Sequence, residues 1–160
     1  MQELGLDGVV THMSISKGGV PKLPIERARI GALGLEGDVQ RHTKVHGGPN
    51  RAVCLYSIDL IERLNAEGHP ISPGSTGENV TIRGLDWSRI TPGSRLSFSG
   101  GVVLKATSFA VPCYQIKPSF AEGAVRRIHQ DDHPGECRVY TKVLSEGEAG
   151  VGESVILSPA

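Results

Sequence analysis

Cys113 stands in FAVPCYQIK, residues 109–117, directly after Pro112 and at the end of an apolar, β-prone run, VVLKATSFAV. Proline has no N–H to give to a strand ladder, so the chain is expected to leave the sheet at Pro112 and to carry the thiol to the rim of the fold. Rim loops are where binding and catalytic groups gather. Free cysteine is equally at home as a small buried hydrophobe, and this segment alone leaves both readings open.

A second candidate is GDVQRHTKVHGGPNR, residues 37–51. Arg41, Lys44 and Arg51 surround the paired glycines Gly47 and Gly48. Glycines let backbone N–H groups converge on an anion, and flanking cations add charge-assisted bonds. The segment reads as a phosphate site or as a solvated basic loop. It is not a P-loop, because GxxxxGK[ST] is absent, and no GxGxxG follows a strand. His42 and His46 have the four-residue spacing of metal ligands on a helix, but glycine and proline surround them and no carboxylate stands in register. His46 is expected to orient the loop rather than to hold zinc.

The third is PGSTGEN, residues 73–79, which places Glu78 and Asn79 at the mouth of a strand. An Asn amide both donates and accepts, as a purine-like or pterin-like heterocycle requires. Turns also use Asn and Gly for their own geometry. Cys113, a histidine and Asn79 could supply a Cys-His-Asn hydrolase set, but nothing around Cys113 carries the local signature of such enzymes.

The elements that must position these residues read as short strands between glycine turns. Strands are expected over 8–16, 26–33, 52–57, 138–144 and 153–157, with a turn entering a short strand over 72–82 and a hairpin over 94–109 that turns at SGG, 99–101. One helix is expected over 58–68, with Ile58, Ile61 and Leu64 in one stripe, Ser57 or Asp59 as cap and Gly68 at its end. A shorter helical stretch is expected near 119–128. The 21 glycines in 160 residues are scattered rather than periodic, which suits an all-β barrel or sandwich. The expected architecture is mainly β: one closed or nearly closed barrel, at least six strands, and a few peripheral helices.

Composition narrows the function. Lys+Arg and Asp+Glu are equal at 17 each, so no global field attracts nucleic acid or an anionic membrane. Aromatics at 4% leave few platforms for stacking bases. No apolar stretch approaches a membrane span, and the acidic start MQELGLDG lacks a signal-peptide pattern. Three cysteines without a CxxC suggest neither a disulfide framework nor a cysteine-based zinc site. A cytoplasmic protein without nucleic-acid or membrane partners is the expectation.

Taken in order, the three segments resemble the MOSC domain family. The pattern is carried by Gly37-Asp38, His46-Gly47-Gly48 with Arg51, Pro73-Gly74 with Gly77-Glu78-Asn79, and Pro112-Cys113. The match spans 35–116, and the tail HPGECRVYTKVLSEGEAGVGESV resembles the closing strands of stand-alone bacterial members, so residues 1–160 are read as a single such domain. The resemblance implies a mostly-β barrel and molybdenum cofactor (molybdopterin) chemistry centred on Cys113, as metal ligand and catalytic residue. It implies cofactor contacts from Lys44, His46, Gly47, Gly48, Arg51, Glu78, Asn79 and Lys117. In some relatives the thiolate ligates molybdenum and N-hydroxylated compounds are reduced; in others the domain is thought to carry sulfur or cofactor to an acceptor. With no flavin motif and no iron–sulfur cysteine cluster, a reductase of this kind would need a separate redox partner, and a carrier a sulfur donor. Pyridoxal phosphate is not expected, because no Schiff-base lysine with a ring-nitrogen partner can be identified. Many relatives carry arginine and lysine where this chain has Ala110 and Gln115. The three segments should then line one concave pocket, with Cys54 as inert core; Cys137 sits beside a polar loop, could be exposed, and is assigned no role.

Overall fold

The structure is a computed structural model and describes residues 3–39 and 48–160. Eleven strands follow in order: β1 (Asp7–Ile15), β2 (Leu23–Ile25), β3 (Arg27–Gly31), β4 (Gly34–Leu35), β5 (Val53–Ser57), β6 (Val80–Arg83), β7 (Arg95–Phe98), β8 (Val103–Phe109), β9 (Val139–Ser145), β10 (Gly147–Gly150) and β11 (Ser154–Ser158). One α-helix, α1 (Ile58–Ala66), joins β5 to β6.

Alternation sets which faces turn inward. Leu96 and Phe98 of β7, Leu104 and Ala106 of β8, and Val155 and Leu157 of β11 are buried. Their neighbours in sequence point outward, as a period of two requires. In β1 the inward set changes phase, from Gly8 and Val10 to Met13, across a bulge between Val10 and His12. One extra residue re-aims every side chain beyond it. At Gly8 a Cβ would lie 2.9 Å from the Arg83 carbonyl oxygen, so the β1–β6 contact there demands glycine.

The strands run in the order β11-β7-β8-β9-β5-β6-β1, and β1 pairs back onto β11 to close a seven-stranded barrel, with β2 hanging from β1. Closure removes the free edges of an open sheet. Six of the neighbouring pairs in this ring are antiparallel; β5–β6 is parallel. All five residues of β5 are buried, as suits a strand covered on both faces beside its crossover helix. That helix buries Ile58, Leu60, Ile61 and Leu64, and its cap is Ser57, whose Oγ accepts from Leu60 N at 3.1 Å. Asp59, the other candidate cap, instead accepts from Gly84 N.

Three local expectations are corrected. The strand expected at 26–33 is β3, which lies in a separate three-stranded sheet with β10 and β4. β10 itself falls in EGEAGVG, which reads as a turn because its glycines give no apolar alternation. The stretch near 119–128 forms short 3-10 helices, Tyr114–Ser119, Ala121–Gly123 and Val125–Ile128, with Pro118 inside the first. Among the described residues no helix is long and apolar enough to cross a membrane.

Candidate functional site

At one end of the barrel, β1, β5, β6, β8 and β9 begin or finish together. Backbone bonds link these ends: Ser14 N to Asn79 O, Asn79 N to Cys54 O, and Ala110 N to Arg138 O. β8 stops at Phe109, before Pro112, and Cys113 follows in an extended conformation before the 3-10 turn. Its thiol is half-buried, whereas Cys54 and Cys137 are buried. Burial pushes both of those thiols up to about 11, against the opposing charge of Arg138. Cys137, whose exposure the sequence leaves open, is 1% exposed, its Sγ donating to Gln130 Oε1. The residue beside a polar loop is drawn inward by the strand that starts at Val139.

A cavity with about 50 Å³ of open space lies at this end of the barrel. Among the described residues its lining includes Lys22, Arg51, Cys54, Asn79, Cys113, Gln115, Arg138 and Tyr140, and no Asp or Glu. Arg51 ends the turn Pro49–Arg51, with its guanidinium carbon 5.6 Å from the centre of the Tyr140 ring. Such stacking holds a cation while leaving its edges able to donate. Burial raises the Tyr140 phenol to about 12.

One wall is a satisfied polar network. Lys22 Nζ meets Asp38 Oδ2 at 2.6 Å, with side chains 5% and 3% exposed. Asn79 Nδ2 donates to the same oxygen at 2.9 Å, and Ser16 N donates to Asp38 Oδ1. Asn79 Oδ1 accepts from Cys54 N at 3.0 Å, and its Nδ2 also reaches Ser14 O at 3.2 Å. Both ends of the Asn79 amide are therefore engaged inside the protein. The turn at Gly74 presses on the same wall: its φ is +84°, and a Cβ there would collide with the carbonyl oxygen of Lys22.

Glu78 is fully enclosed and does not line the cavity. Its Oε2 accepts from Thr76 Oγ1, and Oε1 meets no hydrogen-bond partner. Burial raises its pKa, opposed by Arg138 and the Thr76 bond. Arg138 does line the cavity, 5% exposed. Its Nη1 donates to Thr76 O at 2.6 Å and Nη2 to Val111 O at 3.5 Å, so one guanidinium bridges the 72–79 turn and the segment entering Cys113. Around it, Trp87 Nε1 donates to Cys137 O and Tyr56 OH to Glu136 O, fixing the approach to β9.

Of the residues singled out from sequence, Arg51, Asn79 and Cys113 line this one cavity. Gly48, Glu78 and Lys117 are not in its lining; Lys117 is exposed and packs its stem beside Gly123. Lys44, His46 and Gly47 lie outside the described residues. Among the described residues no cluster of three or more His, Cys, Asp or Glu is placed to hold a metal. Lys22, Arg138 and Tyr140 are lining residues that sequence reasoning passed over. Arg138 immediately precedes β9 and Tyr140 lies within it, and no local pattern marks any of the three. Ala110 is buried beside Cys54 and Tyr140.

Comparison with known proteins adds the following. Residues 42–156 match the model of the MOSC domain. The chain is 29% identical over 145 residues to YflK of Bacillus subtilis strain 168, described as uncharacterised, covering 87% of this chain and 62% of that protein. It is 29% identical over 103 residues to YiiM of Escherichia coli strain K12, covering 62% of this chain and 46% of that one. It thus spans about three-fifths, and under half, of the lengths of these relatives. Among solved structures, the YuaD protein of Bacillus subtilis superposes with a TM-score of 0.78 at 19% identity, over 97% of both chains. YiiM of Geobacillus stearothermophilus superposes at 0.66 and 21% identity, over 94% of this chain and 75% of that one. These structural likenesses show the same fold.

Proposed function

The chain belongs to the MOSC domain family, and from that premise we propose that it binds molybdenum cofactor with Cys113 as the protein's ligand to the metal, and that it reduces N-hydroxylated compounds. The observation that carries this reading is the placement of Cys113: the half-buried thiol among three, on a cavity whose lining, among the described residues, holds three cations and no carboxylate. Thiolate is a soft ligand suited to such a metal.

The donor set fits the group. Cys113 would supply one sulfur, and Arg51 would stand against the cofactor's negative charge. Asn79 would act through the wall it braces, since its amide is already engaged. Lys44, His46, Gly47 and Gly48 would add backbone and side-chain donors, and Lys117 and Glu78 would act from outside the cavity lining. Bound at this site, the cofactor supplies two-electron chemistry at the metal. The protein's part is to hold the thiolate at the rim, to compensate charge, and to keep water from the Cys54 side of the cavity. Electrons would come from a separate redox protein.

The partial exposure of Cys113 on the cavity lining also supports a second reading, in which it carries sulfur or cofactor to an acceptor protein. One experiment separates the two. Purified anaerobically from cells replete with cofactor, the protein should hold about one molybdenum and one pterin per chain, as for a single ordered site. Cys113→Ser should lose the metal, because a hydroxyl is a harder and far less acidic ligand. Turnover of an N-hydroxylated base with a reducing partner establishes the enzyme; binding without turnover, or a persulfide on Cys113, establishes the carrier. Metal retained in full by Cys113→Ser would remove Cys113 as the metal ligand, and absence of a persulfide on wild type as well would remove the carrier.

A further inference from the structure

We infer that Arg138 anchors a tetrahedral oxyanion in the cavity beside Cys113. The inference rests on reading that cavity as the ligand site, and deepens it by naming the residue that takes the ligand's charge. Of the three cations in the lining, Lys22 is neutralised by Asp38 at 2.6 Å. Arg51 lies over the Tyr140 ring. Arg138 is the most awkwardly placed, because it is 5% exposed and forms no ion pair among the described residues. By contrast, Arg63, Arg83, Arg126 and Arg127 each hold a carboxylate nearer the surface. The stretch 40–47, QRHTKVHG, contains no Asp or Glu that could pair with it. Glu78 forms no ion pair with it among the described residues, and burial raises the pKa of that carboxyl against the opposing charge of Arg138.

A guanidinium carries five N–H donors. In Arg138 two are spent on the carbonyls of Thr76 and Val111, and Nε meets no acceptor. Carbonyls satisfy hydrogen bonds but not net charge, and an uncompensated buried charge is costly. A tetrahedral oxyanion answers both needs, since its oxygens accept from a planar fork and its charge offsets the cation. The Val111 carbonyl that Arg138 holds is two residues before Cys113, which places the anion next to the thiol segment. The same chemistry could come from a phosphate ester of a cofactor or from a free metal oxyanion.

Titration calorimetry with inorganic phosphate and, separately, with molybdate distinguishes these sources on the intact chain. Wild type should bind one oxyanion per chain. Arg138→Gln should weaken it by about tenfold to a hundredfold, the usual effect of losing hydrogen bonds to a charged group. Arg126→Gln, on the surface, should leave the affinity unchanged. A preference for phosphate assigns the anchor to a phosphate ester, and a preference for molybdate to a metal oxyanion. If Arg138→Gln does not fold, Arg138→Lys keeps the charge without the fork, and the anion should then raise its thermal midpoint less than that of wild type. The inference is overturned if wild type binds neither anion, if Arg138→Gln binds as tightly as wild type, or if Arg138→Lys is protected equally well. No pterin enters these titrations, so they report on Arg138 even if Cys113 never takes up the cofactor, and the metal test at Cys113 stands apart from them.

Discussion

Lys22 and Asp38 meet at 2.6 Å with side chains 5% and 3% exposed, whereas Arg138 and Glu78, just as deeply buried, form no ion pair among the described residues. In the first couple every partner is present: Asp38 accepts from Lys22, Asn79 and the Ser16 amide. In the second, Arg138 Nε and Glu78 Oε1 are the two buried side-chain atoms without a partner among the described residues. The two couples serve different ends. A closed network fixes the geometry of β1, β5 and β6 around Asn79, and a buried pair is tolerable because its desolvation is offset locally. An open couple keeps unused hydrogen-bonding capacity beside a cavity, which is what a ligand site requires and a scaffold avoids.

The largest effect should come from opening the closed couple. Asp38→Asn keeps the shape but leaves the Lys22 charge buried alone, and should cost about 3–5 kcal/mol in urea unfolding. A loss smaller than that of Arg138→Gln would reverse the assignment of scaffold and site. Next is the carboxyl of the open couple. The folded-state pKa of Glu78 is raised by burial, so its contribution to stability is fully present below its unfolded value and is lost as pH rises through the folded value. Glu78→Gln removes that loss: its stability should stay level where wild type declines with rising pH. Unfolding midpoints from pH 5 to 8 that decline in parallel for the two chains would show that Glu78 carries no such penalty.

A smaller contrast lies in the thiols. At pH 8 one of the three cysteines, Cys113, should react with a thiol reagent in the folded protein, and all three in denaturant. Burial that moves Cys54 and Cys137 from 9.0 to about 11 should slow them about a hundredfold relative to an ordinary thiol, through the thiolate fraction alone. Cys54 labelling first would place the accessible end of the cavity on the wrong side. The smallest effect is expected at the exposed Arg126–Asp132 pair, where Arg126→Gln should leave the urea midpoint where it was, because solvent screens such pairs.

Much of the barrel was legible along the chain because its signals are local. The β7–β8 hairpin shows in RLSF-SGG-VVLKATSF, the cap of α1 in Ser57, and the rim position of Cys113 in the proline before it. β10 was not legible, since GEAG has no alternation to read and becomes a strand by pairing with β3. Nor was the placement of β3 in a separate sheet, since alternation marks a strand without naming its neighbours.

At the site the division is sharper. By itself the sequence determined the residue types, the family pattern, the order of the three segments and the point where β8 must end, because each depends on neighbours a few positions away. Tertiary structure alone decided that Asn79 spends its amide on Cys54, Ser14 and Asp38, that Glu78 is sealed behind the cavity, and that Arg138 faces into it. The reason is distance along the chain: Asn79 reaches a carbonyl 65 residues away and Arg138 one 62 away. No periodicity spans such gaps, and whether a cation is buried, paired or left open depends on what barrel closure brings against it.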